Sequence, residues 1–118
     1  MRNAFQEELD SIHDTLVKMG RIVEESMSAA TRALLEPNLE IAEKVIKDDD
    51  TIDDMQHELD ARTMMIIARQ SPVAGDLRTL VTSLRMSADL ERMGDMAHHI
   101  AKLARMRYPN SAVPAELK

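Results

Sequence analysis

Apolar positions recur in alternating steps of four and three through the first third of the chain, where Phe5, Leu9, Ile12, Leu16, Met19, Val23, Ser26, Ala30 and Ala33 form one continuous seam. Such spacing returns side chains to the same side of an α-helix and marks helices that pack along their whole length. A second seam runs through Ile41, Val45, Ile52, Met55, Leu59 and Ile66, then widens at Met64-Met65-Ile66-Ile67. That widening predicts a middle helix touching two neighbours. The third seam carries Val73, Leu77, Leu80, Leu84, Ser87, Glu91, Gly94, His98 and Ala101, with Val81, Ala88, Ala97, Ile100 and Ala104 beside it. Its second half puts polar and very small residues where the pattern calls for large apolar ones.

The seams are interrupted at Glu36-Pro37-Asn38, at Ser71-Pro72-Val73-Ala74-Gly75, and after Tyr108-Pro109. Asn38 can cap a helix that starts after Pro37. Ser71 offers an N-cap with Pro72 at the first helical position, and Asp76 is a competing cap for the same helix. Lys102, Arg105 and Arg107 crowd the end of the third segment, where positive charge offsets the negative end of the helix dipole. Helices of roughly 30 residues are about 45 Å long, and tight links between them force antiparallel neighbours. The expected fold is all-α, an antiparallel up-down-up three-helix bundle over residues 1–108, with 109–118 as a linker or tail.

Composition supports this reading. Of 118 residues 44% are hydrophobic but only 2% aromatic, so the core must come from Leu, Ile, Val, Ala and ten Met, which disfavours a β-sandwich. The Met-rich face of Met55, Met64, Met65, Met86, Met93 and Met96 is expected to fill the core. The absence of cysteine removes disulfides, zinc ribbons and thiol catalysis. A formal charge of −6 gives no pull toward nucleic acid or an anionic bilayer. The acidic start MRNAFQEELD lacks the apolar core of a signal peptide, and no stretch approaches a membrane span. A cytoplasmic location without membrane insertion is expected.

Two acidic constellations could carry chemistry. Asp48, Asp49, Asp50, Asp53 and Asp54 crowd the second helix, and Asp49 with Asp53 stand four apart on one face. Left to itself, such a run is a solvated polar face. Glu91 and Asp95 are also four apart, and Glu91 lies on the seam with Leu77 and Leu84, where an acid needs a partner. That partner is either a metal ion or an arginine: Arg78, Arg85, Arg92 or one of the second helix. Gly94, inside a helix, costs about 1 kcal/mol against Ala unless a backbone or ion approaches closely. His98 and His99 follow Asp95 at three and four residues, the reach at which imidazole and carboxylate can share a metal, and the two cannot face the same way. Oxygen-rich sites suit Mg²⁺, and imidazole adds iron, manganese or zinc, so the metal stays open. His13 and His57 stand on polar faces and attract no role. Neither a nucleophile elbow nor a glycine-rich phosphate loop occurs, so no motif supports catalysis.

Gln70-Ser71-Pro72-Val73-Ala74-Gly75-Asp76-Leu77-Arg78, followed by Ala88-Asp89-Leu90-Glu91-Arg92-Met93-Gly94-Asp95-Met96-Ala97, resembles the signature of the PhoU family. Pro72, Asp76, Arg78, Arg92 and Gly94 are the motif positions, and Asp49-Thr51-Ile52-Asp53 with Glu58 resembles the preceding helix of that family. The resemblance runs from about Phe5 to Arg107 and implies a non-catalytic regulator of phosphate uptake and phosphate-starvation signalling. Its implied partners are a phosphate-specific ABC transporter and a sensor histidine kinase, with membrane contact only through them. It also implies metal sites at Asp49, Asp53, Glu91 and Asp95, with His99 and His98 as further candidates for iron, zinc, manganese or magnesium. His99 stands where the family often has Asn, and Ser71 extends the usual Gln-Pro junction. Family members usually carry two three-helix repeats where this chain carries one, resembling the N-terminal half, which leaves apolar surface for a homodimer. The competing reading is a ferritin-like carboxylate-bridged metalloprotein, because Asp95-x-x-His98 imitates Glu-x-x-His, although a di-iron site draws on four helices.

Overall fold

The computed structural model describes residues 3–118. Residues 1 and 2 of the expected bundle lie outside the described residues. Three long helices account for nearly all of it: α1 (Ala4–Leu35), α2 (Leu39–Gln70) and α3 (Ala74–Arg107), with a short 3₁₀ turn at Ala115–Leu117 and no strand among the described residues. The links of three residues leave each helix no course but back along its predecessor, and every pair of helices is in contact. The result is an up-down-up rod measuring 57 × 23 × 22 Å.

The helix starts follow from local chemistry. The Asn3 side chain accepts a hydrogen bond from the Gln6 amide at 2.8 Å, and Asn38 accepts from the Ile41 amide at 3.1 Å, so each satisfies an otherwise orphaned donor. The second link differs from the expectation. Ser71 does not cap α3; it ends α2 in the left-handed region (φ 44°), its amide donating to the Ile67 carbonyl. Val73 is the N-cap residue of α3 and provides no side-chain cap, and Asp76 lies exposed in the first turn. Pro72 disfavours right-handed helix at the residue before it, which ends α2 there.

The core divides into two parts along the rod. Towards the α2–α3 link it consists of large side chains: Ile12, Leu16, Met19, Val23, Ile52, Leu59, Ile66 and Leu80. Towards the α1–α2 link it consists of Ala30, Ala33, Ala42, Val45, Ala97, Ala101 and Ala104. The methionine face is corrected by this arrangement. Met64, Met65, Met86, Met93 and Met96 are exposed, and Met55 is only partly buried against the core. The branched residues and Met19 fill the rod, so the remaining Met side chains are displaced to its surface. Beyond α3 the chain folds back: the Ser111 hydroxyl lies 3.3 Å from the carbonyls of both Leu34 and Leu35, where it ties residues 111–113 to the end of α1.

Candidate functional site

Antiparallel packing about Pro72 sets residues of α2 opposite residues of α3 at equal distances from the link. Asp53 therefore comes level with Glu91, and Asp49 with Asp95. Both acid pairs meet along one side of the α2–α3 seam, just where the core changes from large side chains to alanines. Gly94 permits the approach. A Cβ there would lie 2.9 Å from Ile52 Cδ1, 3.4 Å from Ile52 Cγ2 and 3.5 Å from Asp49 Oδ1. The glycine is thus explained by a neighbouring helix pressing directly on its backbone.

Asp49 is the buried member of the cluster, its side chain only 8% exposed. One of its oxygens, Oδ2, lies 2.7 Å from His98 Nδ1. A carboxylate can only accept, so Nδ1 carries the proton and donates it, leaving the lone pair of the neutral ring on Nε2. Asp49 Oδ1 and His98 Nε2 are both buried without a hydrogen-bond partner. One donor atom from each of Asp49, Asp95 and His98 lies within 4.8 Å of the others. The Asp95 side chain is 51% exposed, so the group opens to solvent on that side.

Asp53 and Glu91 complete the patch. Burial pushes the Glu91 carboxyl above its ordinary pKa, and the charges of Asp53, Asp95 and Asp49 push it further; when protonated it can share a hydrogen bond with Asp53. Asp53 is raised for the same reasons, first by burial and then by Asp49, with His57 opposing. Both acids hold a proton more tightly than a free carboxylate because they are partly buried beside other carboxylates. The arginines are engaged elsewhere: Arg92 pairs with Asp89 at 3.2 Å on the surface, Arg69 with Glu8 at 3.2 Å, and Arg62 donates to the Thr15 hydroxyl at 2.8 Å. Arg78 and Arg85 are exposed. Among the described residues no arginine or lysine forms an ion pair with Asp49, Asp53, Glu91 or Asp95.

The two histidines divide as their adjacency requires. His98 turns inward to Asp49. His99 turns away: its side chain is 68% exposed and its Nδ1 donates back to the Asp95 carbonyl at 2.8 Å. The burial of Asp49 has a cause in the sequence: the second seam steps from Val45 to Ile52 with its intermediate position vacant, and Asp49 fills that position. Ser87 occupies the corresponding polar position nearer the link, its hydroxyl donating to Asp60 at 2.7 Å. Grooves of about 510 Å³ around Arg21, Ile41 and Lys44, and about 400 Å³ around Leu16, Leu80 and Met86, lie away from the acids.

Comparison of the sequence with known proteins finds relatives along nearly the whole chain. A profile of the PhoU domain matches residues 16–104. The chain is 40% identical over 117 residues to "Phosphate-specific transport system accessory protein PhoU homolog 2" of Mycobacterium tuberculosis, covering 99% of this chain and 55% of that protein. It is 43% identical over 97 residues to the PhoU homolog of Aquifex aeolicus, covering 82% and 44%. With that of Rhizobium meliloti the figures are 36% over 115 residues, 98% and 48%. The chain spans about half the length of the curated relatives it matches.

Proposed function

The chain belongs to the PhoU family, and from that premise we propose that it is a non-catalytic regulator of phosphate uptake and phosphate-starvation signalling. In this reading it works in the cytoplasm as an adaptor between a phosphate-specific ABC transporter and a sensor histidine kinase. The observation that carries the proposal is its 40% identity, across 99% of its length, to an accessory protein of a phosphate-specific transport system. No helix among the described residues is long and apolar enough to cross a membrane, so contact with such partners falls to the helix faces. Exposed Met64, Met65, Met86, Met93 and Met96 suit that task, since unbranched thioether side chains adapt to differently shaped surfaces. The same apolar surface underlies a homodimer in this reading.

The reading includes a multivalent cation, whether iron, zinc, manganese or magnesium, between α2 and α3, held by Asp49, Asp53, Glu91 and Asp95. The donor set fits such an ion: Asp49 Oδ1 is buried and unpartnered, a carboxylate oxygen of Asp95 lies nearby, and burial together with neighbouring carboxylates raises the carboxyls of Asp53 and Glu91. A bound cation would supply the positive charge that these groups lack. The functional test is expression of the gene in a bacterium lacking its own homologue, with a reporter driven by a phosphate-starvation promoter. Restored repression in phosphate-rich medium is expected. A reporter that stays active while the protein is folded and abundant would refute the regulatory role. Oxygen consumption by iron-loaded protein would instead favour the carboxylate-bridged metalloprotein.

A further inference from the structure

We propose that the outer edge of α3 pairs antiparallel with α3 of a second copy of this chain, through Met93, Met96, Ile100 and Leu103, with Asp89 meeting the partner's Arg107 at each end. This rests on the homodimer reading above and narrows it to one face and one register. α3 carries two seams. One, through Leu80, Ser87, Gly94, Ala97 and Ala101, faces the bundle and is buried. The other follows the same steps of three and four through Met86, Asp89, Met93, Met96, Ile100, Leu103 and Arg107, and none of its residues is buried. Met93, Met96 and Leu103 are exposed, and Ile100 is half-buried. Such spacing belongs to helices that pack along a common seam, yet α1 and α2 both lie against the inner one.

The order of chemistry along the outer seam selects the partner. About a point at His98, Met96 balances Ile100, Met93 balances Leu103, and Asp89 balances Arg107. A two-fold axis there sets apolar groups on apolar groups and each acid on a base. Sliding the pair so that Met93 meets the partner's Met96 leaves Asp89 against the partner's Ile100, which desolvates a carboxylate beside hydrocarbon. A parallel pair sets Asp89 on the partner's Asp89, like charge on like. Among the described residues Arg107 forms no ion pair, and Asp89 is held only by Arg92, a surface contact at 3.2 Å, so both charges are available to a second copy. The contact runs about 27 Å along one helix. Roughly 1,000 Å² or less in total places it at the low end of specific interfaces, so the dimer should dissociate in the micromolar range.

The test is sedimentation equilibrium of the chain and its variants, with circular dichroism to follow the helices. Wild type should show a monomer–dimer equilibrium. Asp89→Arg and Arg107→Asp each turn two attractive contacts per dimer into repulsive ones and should weaken it at least about tenfold, while the two together should restore it. Recovery in the double variant separates pairing from any effect of substitution on folding. Met96→Glu should weaken the dimer to a similar extent, whereas Met65→Glu, at an equally exposed methionine of α2, should leave it unchanged. A dimer that survives Met96→Glu, that is lost in Met65→Glu, or that is not recovered in the double variant would overturn this seam while the homodimer reading stood. A wild-type chain that stays monomeric up to high micromolar concentration would overturn both.

Discussion

Replacing Gly94 with Ala sets two effects of known size against each other. In an unobstructed helix the exchange stabilises by about 1 kcal/mol, because Gly loses more backbone freedom on folding. Here the new methyl would stand 2.9 Å from Ile52 Cδ1 and 3.4 Å from Ile52 Cγ2. Ile52 is fully buried, so its side chain has no open space to turn into. Overpacking of this kind costs about 1–3 kcal/mol, which leaves a net loss of about 1 kcal/mol, or about 4 °C in melting temperature for a domain of this size. Ile52→Val removes Cδ1 and alone costs about 0.5–1.5 kcal/mol. Combined with Gly94→Ala, the removed methyl makes room for the added one, so the double variant should return close to wild type, with a coupling of about 1–3 kcal/mol. Urea denaturation of the four proteins measures the cycle. A Gly94→Ala protein more stable than wild type, or a cycle that adds without coupling, would refute the packing explanation and leave Gly94 without a structural cause.

The pKa shifts fix the sign of a pH dependence. Asp53 and Glu91 bind protons more tightly folded than unfolded, so the metal-free protein gains stability as pH falls through their raised folded values, and the gain is complete below the ordinary carboxylate range. Thermal melts in a metal-free buffer should rise on acidification from neutral pH within that window, and combined Asp53→Asn and Glu91→Gln should flatten the rise. Ser71 holds a left-handed conformation at the end of α2 (φ 44°), a region that costs a non-glycine residue roughly 1–2 kcal/mol. Ser71→Gly, although it frees the unfolded chain, should therefore stabilise by about 0.5–1 kcal/mol, and an unchanged or lower midpoint in urea would count against it.

The seams made the helices legible because steps of four and three permit few other structures. Asn38 was legible for a similar reason, since a short polar side chain ahead of a periodic stretch satisfies the first free amides. Ser71 misled because the same side chain can precede a helix or end one, and Pro72 favours both. The methionines misled because hydropathy ranks a side chain without saying whether space remains for it; Ile, Leu and Val on the seams had already filled the rod. At the site, spacing identified which acids share a face of each helix. It did not show the depth of Asp49, because an aspartate in an acidic run reads as solvated unless the vacant seam position between Val45 and Ile52 is weighed against it. The choice between His98 and His99 needed the rotation of α3, which adjacent residues cannot supply.

The change of core from branched side chains to alanines grades the rod in cohesion. An Ile buries about three more carbons than an Ala, at roughly 0.8 kcal/mol each, so the half held by Ile52, Leu59 and Ile66 resists opening far more than the half held by Ala30, Ala42 and Ala101. Local unfolding begins where such burial is least, which places its start at the alanine end, where the Ser111 hydroxyl also meets the last carbonyls of α1. Asp49, Asp95 and His98 stand at the border between the two halves. Parting the alanine end alone would therefore uncover their buried faces at less cost than melting the whole bundle.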